Sequence, residues 1–133
     1  MAVFERFKKC MEEYQKLEVP SILAAVGKVL GKTKVQYDVA GERFYTVNEG
    51  ILTKEIAEGD IDGPQYEIKT DVATMEGLLG LMEGDKSDIV KHAKENMKYV
   101  VDNYKTGKIT IDTHGFGRGS TLKLAMSTAS KVL

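Results

Sequence analysis

The stretch "KVQYDVAGERFYTVNEGILTKEIAEG", residues 34–59, constrains this chain most. Val35, Tyr37 and Val39 alternate with polar neighbours, the two-residue period of a strand with one dry face. Gly41 and Gly50 punctuate the run. The pattern predicts three strands joined by tight glycine turns, an antiparallel meander.

Helical periods flank it. Val3, Phe4, Phe7, Met11, Tyr14 and Leu17 recur at steps of three and four, with charges mostly opposite, so residues 3–17 predict an amphipathic helix. Pro20 suits the first turn of a second helix, "PSILAAVGKVLG", which Gly31 can close. After the meander, "GDIDGP" reads as a turn and "QYEIKTD" as a fourth strand. "DVATMEGLLGLMEGD" predicts a helix capped by Asp71 and ended by Gly84. "SDIVKHAKENMKYVVDNY" predicts another, with Ile89, Ala93, Met97, Val100, Val101 and Tyr104 as its stripe. "GKITID" is a fifth strand with Ile109 and Ile111 on one face. The tail fits a helix through Leu122, Ala125, Met126 and Ala129, or a strand through Leu122, Leu124 and Met126; the longer match favours helix. Strands and helices are segregated, which means α+β rather than a doubly wound sheet. At 133 residues the chain is expected to be one domain.

Composition removes several functions. A formal charge of −1 argues against nucleic acid as a partner. Cys10 is the single cysteine, so there is no disulfide framework, which fits a reducing cytoplasm. The N-terminus is charged from its fifth residue and lacks a signal-peptide core. No apolar run approaches the roughly 20 residues needed to span a bilayer. A soluble, cytoplasmic protein is expected.

Gly115, Gly117 and Gly119 are spaced G-x-G-x-G. A dinucleotide loop needs G-x-G-x-x-G, and a phosphate loop needs a lysine after its last glycine. Structural glycines in a bent connection fit better. His92 sits mid-helix and His114 beside the glycines; neither has a neighbour at ligand spacing, and both read as partly exposed, so no metal site is assigned. "DIDG" lacks the further ligands of a calcium loop. Glu12 and Glu13 read as solvated helix charges. No catalytic residue and no cofactor is assigned. What remains is apolar: Met75, Leu78, Leu79, Leu81 and Met82 on one helix, Met97 and Val101 on the next, Leu122 and Met126 in the tail, and Phe116 among the glycines. Such residues fill a core or line an adaptable cavity. Spacing alone does not separate the two.

"YEIKTDVATMEGLLGLMEGD" followed by "YKTGKITIDTHGFGRGSTLKLAM" resembles the sterol carrier protein 2 (SCP2-like) lipid-binding family. The shared pattern is a strand with a polar end, an "LLxLM-G" helix, a "GK-I-I" strand, then a glycine and an apolar helix. The resemblance covers roughly residues 34–130, and "YDVAGERFYTVNEG" matches the family's early strands. It implies a five-stranded, mainly antiparallel sheet with helices packed on one face and an apolar tunnel between the layers. The single domain then divides into N-terminal helices over 1–31 and a sheet and tunnel region over 32–133. The implied function is non-catalytic binding, and transfer, of a fatty acyl chain, sterol or similar lipid, with transient membrane contact. The implied lining is Leu78, Leu79, Met82, Met97, Val101, Phe116, Leu122 and Met126. His114, Arg118 and Ser120 are candidates to meet a head group at the mouth. The glycines would let the chain leave the fifth strand, present Phe116 and turn the last helix back.

Two other readings stand beside this one. The first is an interaction or dimerisation module with no lipid cavity. The second is an enzyme acting on a lipid-like substrate in the same tunnel, for which Asp112 and His114, at the same strand parity, form the nearby acid–base pair.

Overall fold

The computed structural model describes residues 3–17, 28, 31–50 and 52–114. Their elements are α1 (Val3–Tyr14), β1 (Lys32–Val39), β2 (Glu42–Glu49), β3 (Leu52–Glu58), β4 (Tyr66–Thr70), α2 (Val72–Met82), α3 (Ile89–Lys105) and β5 (Ile109–Thr113). The helix expected over 20–31 falls largely outside the described residues, and the tail from residue 115 wholly so.

The strands form one sheet in the order β3-β2-β1-β4-β5. The expected meander is its first half: β1 pairs antiparallel with β2, and β2 with β3. β5 pairs antiparallel with β4, while β4 lies parallel to β1. Pairing of Val39 with Glu42 leaves a two-residue turn, Ala40 and Gly41, at φ 52° and 95°. Two positive φ values give the turn the twist a tight hairpin needs. The Gly41 N–H donates to Asp38 Oδ1 at 2.8 Å.

From β3 the chain must pass β2 and β1 to reach β4. Gln36 ties down this passage. Its Nε2 donates to the carbonyls of Phe44 and Gly59, both at 3.0 Å, and its Oε1 accepts from the Ile61 N–H at 2.9 Å. Gln36 is fully buried, and with both amide ends paired the burial costs little.

Strand alternation puts Tyr37, Val39, Phe44, Ile68, Ile109 and Ile111 on the inner face. Helices α1, α2 and α3 cover that face. From α1, Phe4 and Phe7 reach Phe44 with ring centroids 5.5 and 5.2 Å apart, and Phe7 meets Tyr37 at 5.1 Å. The free N–H groups of Val3 and Phe4 donate to the Glu42 carboxylate at 3.1 and 2.8 Å. A strand residue thus supplies the negative charge that favours a helix N-terminus. Asp71 caps α2 as expected, accepting the Thr74 N–H at 2.6 Å, and Gly84 follows the Glu83 C-cap. Gly77 lets α3 come close: a Cβ there would lie 2.2 Å from the Tyr99 hydroxyl, which donates to the Thr74 carbonyl at 2.7 Å. Among the described residues no helix is long and apolar enough to cross a membrane.

Candidate functional site

A cavity of about 420 Å³ lies between the inner face of the sheet and the three helices. Tyr37, Val39, Ile68, Ile109 and Ile111 form its floor. Helix α1 adds Phe7, Met11 and Tyr14; α2 adds Thr74, Met75, Leu78 and Met82; α3 adds Ile89, Ala93, Met97 and Val100. Leu17, Leu52 and Thr53 also border it. Among the described residues the wall has no Asp, Glu, Lys or Arg. The volume is nearly three times the roughly 150 Å³ of an apolar cavity that admits benzene. It also lies within the range of about 300–1,000 Å³ usual for small-molecule sites.

Of the residues expected to line a tunnel, Leu78, Met82 and Met97 stand in this wall. Leu79 is fully buried in the packed core with Phe44, Val39 and Met75, and is not a wall residue. Val101 is half-buried on α3 and also outside the wall, which takes its neighbour Val100 instead. Phe116, Leu122 and Met126 lie outside the described residues, as do Arg118 and Ser120. His114, just beyond β5, is exposed.

Sequence reasoning missed a polar corner. Tyr14 Oη lies 2.6 Å from His92 Nε2, His92 Nδ1 lies 3.1 Å from the Asp85 carbonyl, and Asn96 Nδ2 lies 3.4 Å from Tyr14 Oη. Tyr14, His92 and Asn96 all belong to the cavity wall. His92 is only 6% exposed, which corrects its reading as a partly exposed helix residue. Burial is possible because both ring nitrogens have partners. The available signal was their spacing: His92 and Asn96 follow Ile89 by three and seven, on the face of the apolar stripe.

The proton positions follow from the partners. A carbonyl only accepts, so His92 Nδ1 carries the hydrogen. Burial pushes the imidazole pKa below its ordinary value, more than the Asp85 carbonyl raises it, which favours the neutral ring. Nε2 is then an acceptor, and the Tyr14 hydroxyl donates to it. Burial likewise pushes the Tyr14 phenol above its ordinary value and keeps it protonated. The Met82 carbonyl, 3.3 Å from Tyr14 Oη, loses the competition for that single hydrogen to the shorter contact.

Asp112 and His114 do not form an acid–base pair at the cavity. Ile109 and Ile111 of β5 face it, so Asp112 projects from the opposite face, where Lys69 approaches it at 3.9 Å.

The chain matches no protein-family model and no curated protein sequence. Solved structures do resemble it. UbiJ-SCP2, a ubiquinone synthesis protein, superposes with a TM-score of 0.52 at 8% identity, over 87% of this chain and 84% of that one. Palmitated SCP2L2 from Aedes aegypti gives 0.41 at 15% identity, over 87% and 95%. A conserved hypothetical protein of Thermus thermophilus, suggested to be a sterol carrier protein, gives 0.45 at 12%, over 98% and 82%. On the first of these similarities, the chain has a sterol carrier protein 2-like fold.

Proposed function

We propose that this protein binds a hydrophobic small molecule in the cavity between sheet and helices and carries it unaltered. The observation that carries the reading is a wall of aliphatic, methionine and aromatic side chains with no charged residue among those described. The SCP2-like fold supports it. Met11, Met75, Met82 and Met97 give the wall adaptable surfaces, which suits lipid chains or rings of varied shape. A cytoplasmic setting fits the single buried thiol, Cys10.

The energetics suit a shuttle. Burying about 14 methylenes gains on the order of 11 kcal/mol over water, at about 0.8 each. Ordering of the ligand offsets part of this. A membrane keeps the same surface equally dry, so exchange with a bilayer during brief contact is nearly balanced. Shape then selects more than hydrophobicity does.

Gently purified protein, weighed by mass spectrometry under native and then denaturing conditions, tests this. A hydrophobic molecule lost on denaturation is the expected result. A ligand-free oligomer that takes up no lipid would instead favour a protein-interaction module. Met82→Trp should fill wall volume and reduce lipid uptake in a folded protein; unchanged uptake removes Met82 from the site.

A further inference from the structure

The hydroxyl hydrogen of Tyr14 and the ring hydrogen of His92 are both committed at the tyrosine corner. Tyr14 has one, and it goes to His92 Nε2 at 2.6 Å. His92 has one, and it goes to the Asp85 carbonyl. Tyr14 Oη can then only accept from Asn96, so the Asn96 amide presents Nδ2 to it. This fixes which end of that amide is left over. Asn96 Oδ1 is shut off from solvent and has no hydrogen-bond partner among the described residues. Four other polar side chains of the wall already donate: Gln15 Nε2 to the Thr53 carbonyl, Thr53 Oγ1 to Asn48, Thr70 Oγ1 to the Lys108 carbonyl, and Thr74 Oγ1 to Asp71. The corner therefore offers a bare acceptor and, among the described residues, no cation.

We infer that Asn96 selects the head group of the cargo, drawing a neutral lipid with a hydroxyl donor, a long-chain alcohol or phenol, head-first toward the α1–α3 corner, and discriminating against a carboxylate. This rests on the carrier reading above. An unpaired buried acceptor gains most from a ligand that brings a hydrogen. An anionic head in the same place would meet no cation in the described wall, and neutral donors alone compensate poorly for the water it has lost. Asn96 is free to respond. Its hold on Tyr14 is long, at 3.4 Å, and the terminal amide torsion is broad, so a small rotation brings Oδ1 to the cavity surface.

The test compares dodecanol, dodecanoate and dodecane as probes of the full chain by titration calorimetry, at mildly alkaline pH so that the acid is ionised. The wild type should bind dodecanol about tenfold or more tightly than dodecanoate. Asn96→Leu should weaken dodecanol about tenfold while leaving dodecane unchanged or tighter. Dodecanoate equal to or better than dodecanol in the wild type overturns the inference. So does a folded Asn96→Leu protein that keeps its affinity for dodecanol. If that variant does not fold, the wild-type comparison alone decides. Failure of all three probes, dodecane included, overturns the carrier reading and this inference with it. Binding without preference for the alcohol overturns this inference alone.

Discussion

On the outer face of the sheet Arg43 donates to Asp38, Asp60 and Glu67 at 2.9, 2.7 and 3.0 Å, within reach of water. On the inner side Tyr14, His92 and Asn96 make a shorter chain of bonds with no net charge, largely buried. The outer cluster has full charges and several partners. The inner one has fewer partners and an acceptor left over. The comparison shows where polar groups carry weight. Water competes for every outer contact, so formal charge there yields little. Burial of His92 and of Asn96 Oδ1 limits that competition inside, so a single hydroxyl matters more.

Removing one group on each side should break the symmetry of that comparison most visibly. Tyr14→Phe deletes the donor to His92 and the acceptor for Asn96, and should cost about 1–3 kcal/mol. Arg43→Met removes three ion pairs from a side chain 35% exposed, and should cost about 1 kcal/mol or less. Urea midpoints in low and high salt measure both. Added salt should shrink the Arg43 effect and leave the Tyr14 effect unchanged. A larger loss at Arg43 would invert the ranking.

Protons should separate the buried corner from the protein's exposed carboxylates a second way. Folded His92 holds its proton less well than the unfolded chain does, chiefly because it is buried. Nearby Lys86 adds to this, while the Asp85 carbonyl and the charges of Glu95 and Asp85 oppose it. Between the ordinary histidine value, about 6.5, and the lower folded value, the unfolded state binds more protons. Stability therefore falls as pH drops through that window. Glu83, paired with Arg6, the helix-capping Asp71 and the turn-forming Asp85 act at lower pH: their folded pKa values are lowered, so their contribution survives until pH falls below the ordinary carboxylate range. Urea midpoints should thus decline in two steps. His92→Gln should flatten the first step and spare the second. A single decline confined to the carboxylate range would remove His92 from the account.

Much of the fold was legible because it is local. The alternation of Val35, Tyr37 and Val39 and the turn glycines define the meander from neighbours alone. So does Asp71, which caps a helix three residues away. The parallel placement of β4 beside β1 was not legible, since it depends on Gln36 holding residues 23 and 25 positions later. In the alternation Gln36 reads as one more solvated polar residue. The site divides the same way. Helical spacing marked Leu78, Met82 and Met97 only as members of apolar stripes; the family resemblance suggested the cavity that they border. Leu79 and Val101 were not distinguished from them, because an apolar stripe is wider than the cavity it borders. His92 looked exposed because its partner Tyr14 lies 78 positions away.

The smallest effect sharpens the view that the outer side is governed by backbone geometry more than by its ions. Ala40 occupies the left-handed region at φ 52° without a side chain suited to it. The turn beside it already has an aspartate bond, from Gly41 to Asp38, and Asp38 also receives Arg43. An alanine in this region carries a steric penalty of roughly 1 kcal/mol, which asparagine largely avoids through local hydrogen bonding. Glycine would relieve the same strain but lose part of the gain to a freer unfolded chain. Ala40→Asn should therefore stabilise the protein by about 0.5–1 kcal/mol, and Ala40→Gly by less. Position 40 is exposed, and its N–H donates to the Thr70 carbonyl in either variant. Thermal midpoints rank the two variants. If asparagine gains nothing, the turn conformation is not what limits this edge. If it gains as much as Arg43→Met loses, one backbone angle weighs as much there as three ion pairs.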